Sequence, residues 1–98
     1  METVKKGYWI VSIDVSDAEG FARYREANKA ALDKYGARFL ARAGRHEVKE
    51  GVVHSRNTIV EFDSYEKALA CYESPEYQAA LAHRIDAAKS TLVIVEGA

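Results

Sequence analysis

The run from Tyr8 to Val15 places Trp9, Val11, Ile13 and Val15 on one side, and within two residues the apolar spacing changes to steps of three and four. A period of two dictates a half-buried strand and a period near 3.6 an amphipathic helix, so the chain opens with a βα unit. Ser16 or Asp17 supplies the cap oxygen, and Glu19 puts a negative charge in the first turn, where backbone N–H groups lack partners. Phe21, Tyr24, Asn28, Ala31, Leu32 and Tyr35 follow along the helical stripe, and Gly36 stops it.

A second strand is predicted from near Ala37 to about Val48 and a third from about Ser55 to Asp63, with Lys49, Glu50 and Gly51 in the turn of a hairpin. Centring that hairpin between Gly51 and Val52 sets Arg42 opposite Glu61 and Glu47 opposite Arg56, both matched in charge. It also sets small Ala41 and Ala43 against Phe62 and Val60 on the side that meets the helices. Ser64 caps the next helix, which carries Ala68, Leu69 and Tyr72 and ends near Glu73. Ser74-Pro75 then restarts it as a cap and first helical residue, and Tyr77, Leu81, Ile85 and Ala88 continue the stripe. A last strand from Thr91 to Glu96 completes the order βαββαβ. That is the ferredoxin-like α+β arrangement, a four-stranded antiparallel sheet with two helical segments on one face.

That order leaves one sheet face uncovered by its own chain. The face is predicted to carry Tyr8, Ile10, Leu40, Gly44, Ile59 and one side of the last strand, beside Ser12, Arg42 and Glu61. It is too apolar for water. A second copy laid sheet to sheet covers it, and about 1,600 Å² at ~25 cal/mol per Å² is ample after association entropy, so a homodimer is expected.

At 98 residues the chain holds one core, and residues 1–98 are read as one domain. Its 48% hydrophobic and 30% charged residues are those of a folded globular protein. The formal net charge of -1 argues against a general affinity for nucleic acid. Cys71 is the one cysteine, so no intrachain disulfide forms and a reducing cytoplasm is expected. The stretch Met1 to Lys6 is followed by an apolar run too short and too broken for a secretory leader. No segment is long enough to span a bilayer, so neither membrane nor nucleic-acid partners are expected.

Several motifs carry a resemblance: Gly7-Tyr8-Trp9, Lys34-Tyr35-Gly36, Arg38-Phe39-Leu40-Ala41-Arg42-Ala43-Gly44, Arg56, Glu61-Phe62, Tyr72-Glu73-Ser74-Pro75-Glu76-Tyr77, Arg84 and Glu96-Gly97. Over nearly its whole length the chain resembles the domain of unknown function 1330 family, DUF1330, within the superfamily of dimeric α+β barrels. The resemblance implies fold and dimerisation rather than a reaction. Related barrels include cofactor-independent monooxygenases, dehalogenating and lactone-isomerising enzymes, and ligand binders, and fold does not choose among them. Ala37 and Ala43 depart from the resemblance, standing where glycine is expected.

The chemistry-bearing candidates are weighed against ordinary packing. Arg42 and Glu61 form either a cross-strand ion pair or a site in which Arg42 binds a carboxylate or enolate oxygen and Glu61 orients it or takes a proton. Tyr24, Tyr72 and Tyr77, with Arg84, either rim a pocket between helices and sheet or belong to the core. Asn28 is a satisfied buried amide or a ligand contact. His46 is either a solvated histidine or a proton carrier at one end of the pocket. His46, His54 and His83 show no metal-ligand spacing, Cys71 reads as a buried apolar residue, and no glycine-rich phosphate loop occurs, so neither metal nor cofactor is expected. Two functions fit. One is a small homodimer binding a small organic metabolite between sheet and helices, with cofactor-free chemistry on a carbonyl or aromatic compound as its enzymatic form. The other is a non-catalytic binding or assembly module in which Arg42 and Glu61 only fix register.

Overall fold

Alternation in the first strand is realised residue by residue: in β1 (Gly7–Val15) Trp9, Val11 and Ile13 are buried while Ile10 and Asp14 are exposed. The computed structural model describes residues 4–98, so Met1 to Thr3, the start of the stretch read as lacking a secretory leader, lie outside it. Helix α1 (Ala18–Lys34) is capped by Asp17, whose side chain accepts from the Glu19 and Gly20 N–H groups. It stops at Tyr35 because Gly36 takes φ +68, a left-handed conformation that glycine adopts without steric cost. Strands β2 (Arg38–Arg42) and β3 (Arg56–Phe62) follow. Next come α2 (Tyr65–Glu73), α3 (Pro75–Arg84) and β4 (Ala88–Glu96). Ser74 ends α2 and caps α3, its hydroxyl accepting from Tyr77 N–H, so one Ser-Pro step breaks the second helical segment in two.

The four strands make one antiparallel sheet in the order β2-β3-β1-β4, the ferredoxin-like α+β topology. All three helices cover one face, and the core lies between: Trp9, Phe62 and Val60 from the sheet against Ala31, Ala68 and Tyr77 from the helices. The Trp9 indole N–H donates to Ala68 O at 2.9 Å, which satisfies its one polar group inside the core. Gly7 sits where β1 passes the start of α2, and a Cβ there would overlap the backbone of Ser64 and Tyr65. Cys71 is fully buried and burial pushes its thiol up to about 12, which leaves it a packing residue. Among the described residues no helix is long and apolar enough to cross a membrane.

Three expectations are corrected. The β2–β3 register places Arg38, not Arg42, opposite Glu61, and Phe39 opposite Val60. A bulge at Leu40 then shifts the pairing to Ala41 with Ile59 and Arg42 with Thr58. Glu47 does not meet Arg56 but pairs with Lys49 at 2.9 Å, because residues 43–55 form no strand. Ala43 turns the chain out of β2 with φ +51, and the far end of the segment is tied instead to β1, with His54 N–H donating to Ser12 Oγ and Ser55 N–H to Asp14 Oδ1, both at 2.7 Å. Finally, α3 ends at Arg84, leaving Ile85 69% exposed, and β4 begins at Ala88 rather than Thr91. The intervening turn is fixed by Ala87 O, which accepts from both Ser16 and Asp17 N–H and so ties the start of α1 to the start of β4.

The face away from the helices carries Tyr8, Ile10, Ile59 and Glu61, as alternation requires, with Val93 and Val95 from β4. Arg38 takes the place expected for Arg42 there. Ile10, Leu40, Val93 and Val95 are 42%, 56%, 53% and 44% exposed.

Candidate functional site

The bulge at Leu40 decides the site. Two residues of β2 lie opposite one of β3, so Arg42 falls on the same side as Phe39, facing α1, instead of on the open face with Glu61. Between β2 and α1 the two layers do not close, and a cleft of about 60 Å³ opens there. Its floor is Trp9, Val11, Ile13 and Val60, its inner wall Phe21, Tyr24 and Leu32, and all seven are buried. Asn28, Phe39 and Thr58 border it, and Arg25, Arg42 and Arg56 rise around its mouth.

Two of the three rim arginines are held by aromatic faces. Arg42 lies 4.2 Å from the Phe39 ring centroid and Arg56 5.2 Å from that of Phe21. None of the three joins an ion pair among the described residues. Behind the inner wall the Tyr24 and Tyr77 hydroxyls meet at 2.7 Å, and Arg84, 4% exposed, donates to both. Burial raises the Tyr77 phenol pKa well above its ordinary value, with the neighbouring Tyr24 adding to the effect, so the Tyr77 hydroxyl keeps its proton.

Of the residues singled out from sequence, the fold brings Tyr24, Asn28 and Arg42 together on the cleft. Tyr77 and Arg84 stand behind Tyr24 in the core. Tyr72 packs edge-on to Trp9 at a centroid distance of 6.1 Å, away from the cleft lining. Glu61 lies on the opposite sheet face, where Arg38 Nε donates at 2.9 Å and the Tyr8 hydroxyl at 3.1 Å; Arg38 foremost holds its carboxyl below the ordinary value. His46 is exposed in the segment after β2, its Nδ1 3.1 Å from Gly44 O. Sequence reasoning missed Arg25 and Arg56 as lining residues. Arg25 was discoverable, since it stands three residues before Asn28 and shares its helix face; Arg56 was assigned to a hairpin pair that does not form.

The cleft thus offers guanidinium donors, the Asn28 amide, the Thr58 hydroxyl and an apolar floor, and its lining holds no Asp, Glu, His or Cys. Such a set has the chemistry to hold an acceptor-rich molecule, with no carboxylate or imidazole in the lining to take a proton.

A family model described as domain of unknown function (DUF1330) matches residues 6–98. Curated proteins yield no match in sequence. Among solved structures, a protein of unknown function from Rhodopseudomonas palustris is similar at TM-score 0.75 and 16% identity, over 96% of this chain and 83% of that one. SnoaB, a cofactor-independent oxygenase from Streptomyces nogalater, is similar at TM-score 0.63 and 8% identity, over 94% and 92% of the two chains. A dimeric ferredoxin-like protein of unknown function from Thermobifida fusca is similar at TM-score 0.56 and 14% identity, over 98% and 94%. At these identities the likeness is one of fold.

Proposed function

The chain belongs to the DUF1330 family, and from that premise we propose that it works as a homodimer, joined through the open sheet face, that binds a small organic metabolite in the cleft between α1 and the sheet. The observation that carries the reading is the cleft itself. Buried Trp9, Phe21 and Tyr24 give it an apolar interior, while Asn28 and Arg42 bring polar groups to its lining. Apolar cavities with a few convergent polar groups are where small molecules bind. The interior takes up the volume of about four water molecules at most, so it receives part of a ligand and leaves the rest at the mouth. The dimeric relative from Thermobifida fusca supports the assembly, and the protein from Streptomyces nogalater, a cofactor-independent oxygenase, supports reading a fold of this type as able to host enzyme chemistry. In this chain the lining supports binding more directly than catalysis, because it supplies donors without a proton acceptor.

The assembly alternative that gave Arg42 and Glu61 a purely structural role does not survive in that form, since the two residues occupy opposite sheet faces. The test is to purify the protein without added ligand, denature it, and analyse the released small molecules by mass spectrometry, beside a thermal-shift screen of organic acids, aldehydes and phenols. A released compound that rebinds and perturbs the Trp9 fluorescence supports the reading. No released compound and no thermal shift from any of them would remove it.

A further inference from the structure

The positive charge at the cleft is out of proportion to anything the fold needs. Elsewhere in the molecule ion pairs order the structure, Arg38 with Glu61 and Asp63 and Lys34 with Glu76, and buried Arg84 is held by the Tyr24 and Tyr77 hydroxyls. At the cleft, Arg25 from the middle of α1, Arg42 from the end of β2 and Arg56 from the start of β3 converge with no carboxylate partner among the described residues. Three like charges drawn to one opening repel each other, and the fold keeps two of them there by stacking on Phe39 and Phe21. Glu26, the acid that borders the adjoining groove with Arg25 and Arg42, is engaged by Lys29 at 2.9 Å.

We infer that the ligand is an amphipathic carboxylate, its aryl or short alkyl body inserted over Trp9, Leu32 and Val60 and its carboxylate bound at the mouth by Arg25, Arg42 and Arg56. The inference rests on the cleft being the binding site and adds the chemical class of what enters. Polarity fixes the orientation. A carboxylate pushed down to the buried floor loses its water and finds no donor, whereas at the mouth it meets planar guanidinium forks that match its two oxygens. The floor, being apolar, gains only from the hydrocarbon end. Asn28 and Thr58, beside the arginines, select for a further polar substituent near the carboxylate, such as a 2-oxo or 2-hydroxy group.

The experiment titrates the isotopically labelled protein at low salt with benzoate, phenylacetate and hexanoate, each beside its primary amide, following the Trp9 indole and Asn28 amide signals by NMR. At least one acid is expected to bind with a Kd tenfold or more below that of its amide and to weaken as salt is added. Arg42→Gln and Arg56→Gln are each expected to raise that Kd about tenfold. Arg23→Gln, an equal change of charge at an exposed position of α1 outside the cleft lining, is expected to leave it unchanged. Amides that bind as tightly as the acids, with the same signals moving, would overturn the anion assignment and leave the cleft as a binding site. Signals that move only on the open sheet face, or in none of the titrations, would overturn both.

Discussion

Tyr24 on α1 and Tyr77 on α3 share a hydrogen bond of 2.7 Å between their hydroxyls, and Arg84 donates to both oxygens, at 3.1 and 3.3 Å. This is how the molecule accommodates a guanidinium that is 4% exposed and has no ion-pair partner among the described residues. The Tyr24 ring adds a cation–π contact at 4.9 Å. Removing one hydroxyl leaves a buried charge short of a partner, and hydrogen bonds to charged groups contribute about 1.5–3 kcal/mol each. Tyr77→Phe is therefore expected to lower stability by about 2 kcal/mol, a fall in Tm of roughly 10 °C for a domain of this size. Adding Arg84→Met to that variant is expected to restore part of the loss, because an apolar side chain replaces an unsatisfied charge. Thermal denaturation of the two single variants and the double variant measures the coupling, and strict additivity would show that the three groups do not act as a unit.

The two tyrosines were legible from sequence as core positions, since both lie on apolar helical stripes, and so were the Ser74-Pro75 break, a cap at Ser16 or Asp17 and the buried side of β1. Register was not. A strand pattern of period two looks the same after a slide of two or four residues, and either Arg38 or Arg42 matches the charge of Glu61. The long segment from Ala43 to Ser55 removes the tight turn that would have fixed the choice. The bulge at Leu40, which no local residue preference announced, then reversed the facing of Arg42 and made it a cleft residue.

Arg38 should accordingly carry the stabilising role that charge matching first gave to Arg42. It bridges Glu61 at 2.9 Å and Asp63 at 3.0 Å, with its own side chain 43% exposed. Partly exposed pairs are worth little singly, so Arg38→Ala is expected to lower the urea midpoint only modestly. Arg42→Ala is expected to lower it by less than half as much, because it removes only the stacking on Phe39. Urea melts of the two variants check the order, and a larger loss in Arg42→Ala would mean that the observed register is wrong.

Ala43 is the only non-glycine residue with a positive φ among the described residues, at +51, and it stands where the family resemblance led to an expectation of glycine. An L side chain in that conformation costs about 1–2 kcal/mol, part of which glycine gives back through the greater freedom of its unfolded chain. Ala43→Gly is expected to stabilise the protein by about 0.5–1 kcal/mol, raising Tm by a few degrees without changing ligand affinity. A fall in Tm would show that the chain leaves β2 in another conformation.

Asp14 gives the fold an acid-side dependence. Its carboxylate accepts Ser55 N–H and meets His54 Nδ1 at 2.8 Å, and these contacts, the backbone hydrogen bond foremost, lower its pKa to about 2. A depressed carboxylate pKa means that the unfolded chain binds the proton more readily. The stabilisation is therefore present above the unfolded value near 4 and is lost as pH falls toward 2. Asp14→Asn is expected to flatten the pH dependence of Tm across that window and to release the His54 segment from β1. Hydrogen exchange at the Ser55 amide reports that release, and an unchanged profile would place the acid sensitivity at Glu61 and Asp63, whose carboxyls Arg38 holds below their ordinary values.

The dimer is tested most directly on β1 and β4. Ile10 pairs with Val93, and Ile59 lies on the other side of Ile10, so three apolar side chains meet at the centre of the open face. No helix of the described residues covers them. A charge placed there costs the protomer almost nothing, because the position already meets water in a lone chain, but in a sheet-to-sheet dimer it is desolvated without a partner. Ile10→Lys is therefore expected to halve the mass measured by light scattering at micromolar concentration while the circular dichroism spectrum stays the same. Lys89, beside Asp14 on the same face but away from its apolar centre, supplies the comparison: Lys89→Glu is expected to weaken association less than tenfold. If the unmodified protein already has the mass of one chain, or if Ile10→Lys leaves a dimer intact, the two copies are not joined through this face.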